Sequence, residues 1–180
     1  MRILCFGDSN TYGYDPRGFL GDRYNSDDRW VDLLAKQTVH KIINAGINGR
    51  AIPRDPLLLT AQKDADTLLV MLGTNDLLQG ATAGEAAARM GSFLISTRPH
   101  FTQIVLIAPP PMTRGAWVPD TGLVVQSVRL AEEYRLLAES LGIPFMDTRD
   151  WNIDLAFDGV HFTEAGHHVF AERLQHVLGL

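Results

Sequence analysis

Residues 3–16 read ILCFGDSNTYGYDP, an apolar run, Ile3 to Phe6, that breaks at Gly7-Asp8-Ser9-Asn10. A short run rich in strand-forming types predicts a buried strand, and the Gly-Asp that closes it predicts a sharp exit. Ser9 then sits at the strand's carboxyl end. In open parallel sheets ligands bind along that edge, so a hydroxyl there is either a turn former or a nucleophile.

Similar runs recur at Lys41–Asn44, Thr67–Leu72, Gln103–Ala108 and Pro144–Met146, each ending in Gly, Asn, Pro or Asp. Between and after them lie helical patterns: Asp28–Thr38, a shorter one near Pro56–Lys63, Ala83–Arg98, Val124–Leu141 and Thr163–Leu178. Five doubly buried strands separated by helices predict a parallel sheet with right-handed crossovers, a three-layer α/β/α sandwich. Residues 1–180 are expected to form one domain. Two long irregular stretches, Tyr12–Asp27 and Pro109–Gly122, are expected to be walls of a site or surface excursions.

The chain has 180 residues, 46% of them hydrophobic and 21% charged, in the range of an ordinary globular protein. A formal charge of −5, with 16 scattered Lys and Arg, disfavours nucleic acid and anionic membrane as partners. Cys5 is the single cysteine and lies inside the first strand pattern, so it reads as a buried small hydrophobe and no intrachain disulfide exists. No apolar stretch approaches the roughly 20 residues of a membrane span, and Met1-Arg2 leads directly into a strand. A cytoplasmic protein is expected.

The ends of the strands collect the chemistry. The first delivers Gly7-Asp8-Ser9, the second Asn44-Ala45-Gly46-Ile47-Asn48-Gly49, the third Gly73-Thr74-Asn75-Asp76, and the loop before the last helix carries Asp158-Gly159-Val160-His161. Each segment alone is an ordinary turn. Together they suit acyl transfer: His161 can take the proton of Ser9, and Asp158, three residues earlier, can curl back onto the other ring N–H. Asp150 and Asp154 are the competing carboxylates, with no spacing that holds them to the ring. The Asn75 amide and the N–H groups of Gly49 and Ser9 are candidate oxyanion donors.

Those four segments resemble the four blocks of the GDSL, or SGNH, hydrolase family, essentially from end to end of the chain. The resemblance implies a flavodoxin-like fold and a triad of Ser9, Asp158 and His161. It also implies an oxyanion hole of Ser9, Gly49 and Asn75, with Gly49 preferred to Gly46 by block spacing. Asn10 stands where the family name has Leu. No Gly-x-Ser-x-Gly is present, and an Asp three residues from the His differs from the α/β-hydrolase pattern. The segments around Ser9, Arg29-Trp30, Asn75 and His161 are similar to those of intracellular bacterial arylesterases and acyltransferases, some of them oligomers, which implies a homo-oligomer.

No cofactor and no metal are expected. His161, His167 and His168 with Glu164 match no compact ligand motif, and adjacent helical histidines point to different sides. Gly46 to Gly49 lacks the spacing of a phosphate loop, and a mid-strand Cys5 is a poor nucleophile. The favoured function is a serine esterase for short acyl groups, able to pass the acyl group to acceptors other than water. A carbohydrate acetylesterase, a lysophospholipase or a thioesterase is the alternative within the family, and a non-catalytic acyl-binding module the alternative outside it. Asn10, Tyr12 and Trp117 are the expected substrate contacts. The loop Pro109–Gly122, with Met112, Trp117 and Val118, is expected to wall the site or meet another protomer.

Overall fold

The computed structural model describes residues 1–18, 22–54 and 65–179. Its strands are β1 (Arg2–Gly7), β2 (Lys41–Gly46), β3 (Thr67–Met71), β4 (Gln103–Ile107) and β5 (Phe145–Met146). All four neighbouring pairs are parallel, in the order β2-β1-β3-β4-β5. The helices are α1 (Ser9–Tyr12), α2 (Trp30–Gln37), α3 (Thr74–Leu78), α4 (Ala83–Thr97), α5 (Thr121–Leu141) and α6 (Glu164–Leu178). The helical pattern near Pro56–Lys63 falls outside the described residues.

Alternation along the strands divides the core in two. Leu4 and Phe6 of β1, with Leu68 and Val70 of β3, join Ala86, Met90 and Phe93 of α4 and Leu130 and Tyr134 of α5. Ile3, Cys5, Leu69 and Met71 face the other way, against Trp30 and Leu34 of α2 and Phe170 and Leu174 of α6. Inner strands buried on both faces, such as β1 and β3, read as continuous apolar runs, which is why composition located them, while the edge strand β2 is only partly buried. None of the described helices is long and apolar enough to cross a membrane.

The order reverses direction at β1, so β2 and β3 leave the sheet on either side of it. Loops there diverge and open a crevice at the carboxyl edge. Two short helices, α1 and α3, follow β1 and β3 directly, where the pattern predicts turns. The Asp8 carboxylate caps α1, accepting the Asn10 N–H at 3.0 Å, and Gly13 ends it in the left-handed region at φ 89°. Ser9 is therefore the first residue of a helical turn whose backbone is held from both ends.

Candidate active site

At the crevice a cleft of about 200 Å³ is lined by Ser9, Tyr14, Asn48, Gly49, Asn75, Trp117 and His161. A larger hollow of about 510 Å³ lies along α6, but its lining residues Glu172, Arg173, Gln175, His176 and Gly179 include no serine, threonine or cysteine.

Ser9 Oγ lies 2.9 Å from His161 Nε2, and His161 Nδ1 lies 2.6 Å from Asp158 Oδ2. The second Asp158 oxygen accepts the backbone N–H groups of Val160 and His161, both at 2.9 Å. Burial pushes this carboxyl up, but the His161 ring and these two N–H donors outweigh it and hold it below the usual range. The geometry thus joins Ser9, His161 and Asp158 in one hydrogen-bonded line. Asp154 instead accepts from the Thr163 hydroxyl at 2.7 Å.

Gly49 and Asn75 line the same cleft as Ser9 and His161. Gly49 has φ 71°, a backbone shape that favours glycine. No described residue accepts a hydrogen bond from the N–H of Ser9 or Gly49. Gly46 is elsewhere: a side chain on it would overlap the backbone of Thr11 and Tyr12. Asn75 Nδ2 donates to the Arg50 carbonyl at 3.1 Å and approaches Asp8 Oδ2 at 3.5 Å. Both acceptors fix which end of the Asn75 amide is the donor, and the residue lines the cleft together with Ser9.

Arg50 and Asp8 were not legible as parts of this site. The Arg50 guanidinium donates to the carbonyls of Gly7, at 3.0 Å, and Ala45, and lies 4.1 Å from the Phe6 ring centroid. It ties the ends of β1 and β2 together. Asp8 is 1% exposed, and burial pushes its carboxyl up to about 6. A lone Arg after a glycine and an Asp before a serine carry no periodic signal, so only their placement reveals them.

The expected substrate contacts need correction at two positions. Asn10 is buried and spends its side chain on the backbone of Val160 and Phe162. Tyr12 lies beneath the Arg23 guanidinium, 4.3 Å from its ring centroid, and does not line the cleft. Tyr14 does, with its ring 4.6 Å from that of His161; the Trp117 ring meets the same imidazole edge-on at 5.0 Å.

The stretch Pro109–Gly122 is divided in function. Met112 and Val118 are buried in the protein's own core and need no other cover. Thr113, Ala116 and Trp117 donate their N–H groups to Gly159, Phe157 and Asp158 carbonyls at 3.0, 3.1 and 3.0 Å. A side chain at Gly115 would overlap the Asp158 backbone. This segment is thus laid directly on the Asp158–His161 loop, and it carries Trp117, 51% exposed, to the cleft. Among the described residues no group of three His, Cys, Asp or Glu is placed to hold a metal ion.

Solved structures with this architecture include the native aryl esterase of M. smegmatis, 27% identical, with 99% of this chain and 98% of that one covered and a TM-score of 0.84. A carbohydrate acetylesterase family member from Sinorhizobium meliloti is 28% identical over 99% of both chains, with a TM-score of 0.83. A catalytic mutant of an acetylxylan esterase from Geobacillus stearothermophilus, at 21% identity, 99% and 94% coverage and a TM-score of 0.75, shares the fold. No curated protein matches the sequence significantly. The model of the GDSL-like lipase/acylhydrolase family aligns with residues 5–169, from inside the first strand into the last helix, and the chain belongs to that family.

Proposed function

We propose that this chain is a serine esterase of short acyl groups, with Ser9 as nucleophile, His161 as general base and acid, and Asp158 as its orienting carboxylate. The observation that carries this reading is the unbroken line from Asp158 through His161 to Ser9, 2.6 and 2.9 Å long, ending in a cleft that also holds Gly49 and Asn75. Ser9 Oγ attacks the acyl carbon while His161 Nε2 takes its proton. The carbonyl oxygen, now negative, is received by the N–H groups of Ser9 and Gly49 and by Asn75 Nδ2. His161 then gives the proton to the departing alkoxide, which leaves as alcohol, and the acyl group stays on Ser9. Water then attacks the acyl carbon as the same imidazole takes its proton, and that proton passes to Ser9 Oγ as the acyl–Oγ bond breaks, releasing the acid and restoring the serine hydroxyl. An alcohol in place of water yields a new ester by the same steps, so transfer to other acceptors belongs to the proposal.

The cleft volume, about 200 Å³, and its aromatic walls Tyr14 and Trp117 favour acyl groups of two to four carbons. A long apolar groove would add about 0.8 kcal/mol per buried methylene and make kcat/KM rise with chain length. We expect a maximum at acetate to butyrate among p-nitrophenyl esters; a maximum at octanoate or beyond overturns the short-acyl reading in favour of a lysophospholipase or thioesterase. The half-exposed Trp117 at the cleft offers a flat face to an aryl or sugar ring on the alcohol side. A cytoplasmic setting suits a single buried thiol, and self-association remains part of the proposal, checked by sedimentation velocity over a wide concentration range.

The test of the chemistry is a serine-directed fluorophosphonate. The parent protein is expected to form one adduct, at Ser9, and Ser9→Ala to form none while losing at least about 10³-fold in turnover. A parent that neither labels nor turns over activated esters is the acyl-binding module instead.

A further inference from the structure

Asn10 follows the proposed nucleophile and is 4% exposed, with its side chain turned away from the cleft. Its Nδ2 donates to the Val160 carbonyl at 3.1 Å, and its Oδ1 accepts the Phe162 N–H at 2.9 Å. Those partners are the residues immediately before and after His161. A donor and an acceptor offered to the C=O of one residue and the N–H of the residue two further on is what a paired strand provides, so one carboxamide acts here as a single rung of a ladder. The Asn10 backbone is fixed in turn: its carbonyl accepts the Trp30 indole N–H at 2.9 Å.

The bonds within the loop cannot do this work. Those from Val160 and His161 to Asp158 set the imidazole against its carboxylate but leave free the distance from that pair to Ser9. Among the described residues, the hydrogen bonds that join α1 to residues 158–162 are the Ser9···His161 contact and the two from Asn10. A leucine, the residue of the family's name motif, fills similar space but can neither donate nor accept.

We propose that Asn10 is a positioning residue that sets the separation of Ser9 and His161 by clamping the His161 backbone on both sides to the helix turn that carries Ser9. The inference rests on the esterase reading above. Its physical basis is the narrow tolerance of proton transfer: a constellation must be held within about 0.5 Å, and a displacement near 1 Å costs about 10²-fold.

The test uses the full chain with Asn10→Leu and Asn10→Ala, active sites counted by fluorophosphonate titration, and p-nitrophenyl acetate as substrate. Both variants are expected to lose about 10- to 100-fold in kcat per titrated site, with KM within threefold of the parent. A merely structural role lowers the thermal midpoint and the titrated fraction but not kcat per titrated site. A loss under threefold in both variants, or a raised KM at unchanged kcat, overturns the proposal, the latter restoring Asn10 as a substrate contact.

If neither variant folds, the parent decides by NMR. Slow exchange of the Asn10 carboxamide and Phe162 amide protons, with scalar coupling from Asn10 Nδ2 to the Val160 carbonyl carbon, supports the clamp. Fast exchange without coupling overturns it. A parent with no titratable Ser9 defeats the esterase reading and this inference with it, whereas titratable variants of undiminished kcat defeat this inference alone.

Discussion

His161 and His167 lie six residues apart, are 2% and 0% exposed, and sit among aromatic rings, yet their surroundings assign them opposite chemistry. His161 has a carboxylate on one nitrogen and a serine hydroxyl on the other. The Nδ1 of His167 receives only the Trp30 N–H, at 3.5 Å, and its Nε2 has no partner among the described residues. Its ring meets Tyr24 and Phe162 edges at 5.4 and 5.2 Å. Burial first, and then the charges of His168 and Arg29, push it down to about 3. A buried imidazole with no charged partner is thus held neutral in the core, whereas His161 has the Asp158 carboxylate against its Nδ1.

Removing that carboxylate's charge is the hardest test of the contrast. Asp158→Asn keeps the side chain's size but favours the wrong tautomer and leaves the developing imidazolium uncompensated, and kcat is expected to fall about 10⁴-fold with KM little changed. If Asp154→Asn loses more turnover than Asp158→Asn, the acid role moves to Asp154, although its bond to Thr163 argues otherwise.

The contrast also says that the base alone is insufficient without a receiver for the negative charge. Asn75→Ala is expected to lower kcat by about 10²- to 10³-fold, measured at saturating ester, because the proposed role of its amide is to bind the oxyanion more strongly than the ground-state carbonyl. An unchanged kcat with a large rise in KM makes Asn75 a ground-state contact instead.

The smallest effect belongs to His167, and it concerns stability. Its pKa falls on folding from 6.5 to about 3, so the group stays neutral in the native state while it ionises in the unfolded chain. Its contribution is complete above about pH 6.5 and is lost as pH falls toward 3, amounting to about 2 kcal/mol by pH 5. Asp8 acts in the other direction. Its carboxyl is raised from 3.8 to about 6, so its share is present below about pH 3.8 and lost as pH rises through 6. His167→Leu keeps Asp8 and removes the histidine's share; urea titrations at pH 7 and pH 5 are expected to show the variant gaining about 2 kcal/mol relative to the parent over that step. An equal pH response in variant and parent contradicts the buried neutral assignment, and a loss of turnover beyond threefold blurs the division between the two histidines.

The sequence by itself determined the layers and the cast of the site. Five apolar runs, the longer helices between and after them and the order of Ser9, Asn75, Asp158 and His161 all follow from local composition and from segments that need only be adjacent in the chain. Burial on both faces of a parallel sheet imposes that composition directly. Thr163 illustrates the local kind of information, for its hydroxyl caps α6 by accepting the N–H of Gly166, three residues on, at 3.0 Å. The tertiary structure decided what each polar group does once it is buried. Asn10 and Tyr12 have the chemistry of substrate contacts but serve the protein's own loops, while Tyr14, two residues on, reaches the cleft. Arg50 and Asp8 shape the strand ends and the Asn75 amide from positions 25 or more residues away from it in the chain. Met112 and Val118 find cover inside the core, and Trp117 does not. A hydrogen bond spanning 150 residues, such as that from Asn10 to Val160, leaves no periodic trace in either segment, because its geometry is set by the crossovers that bring two strand ends together.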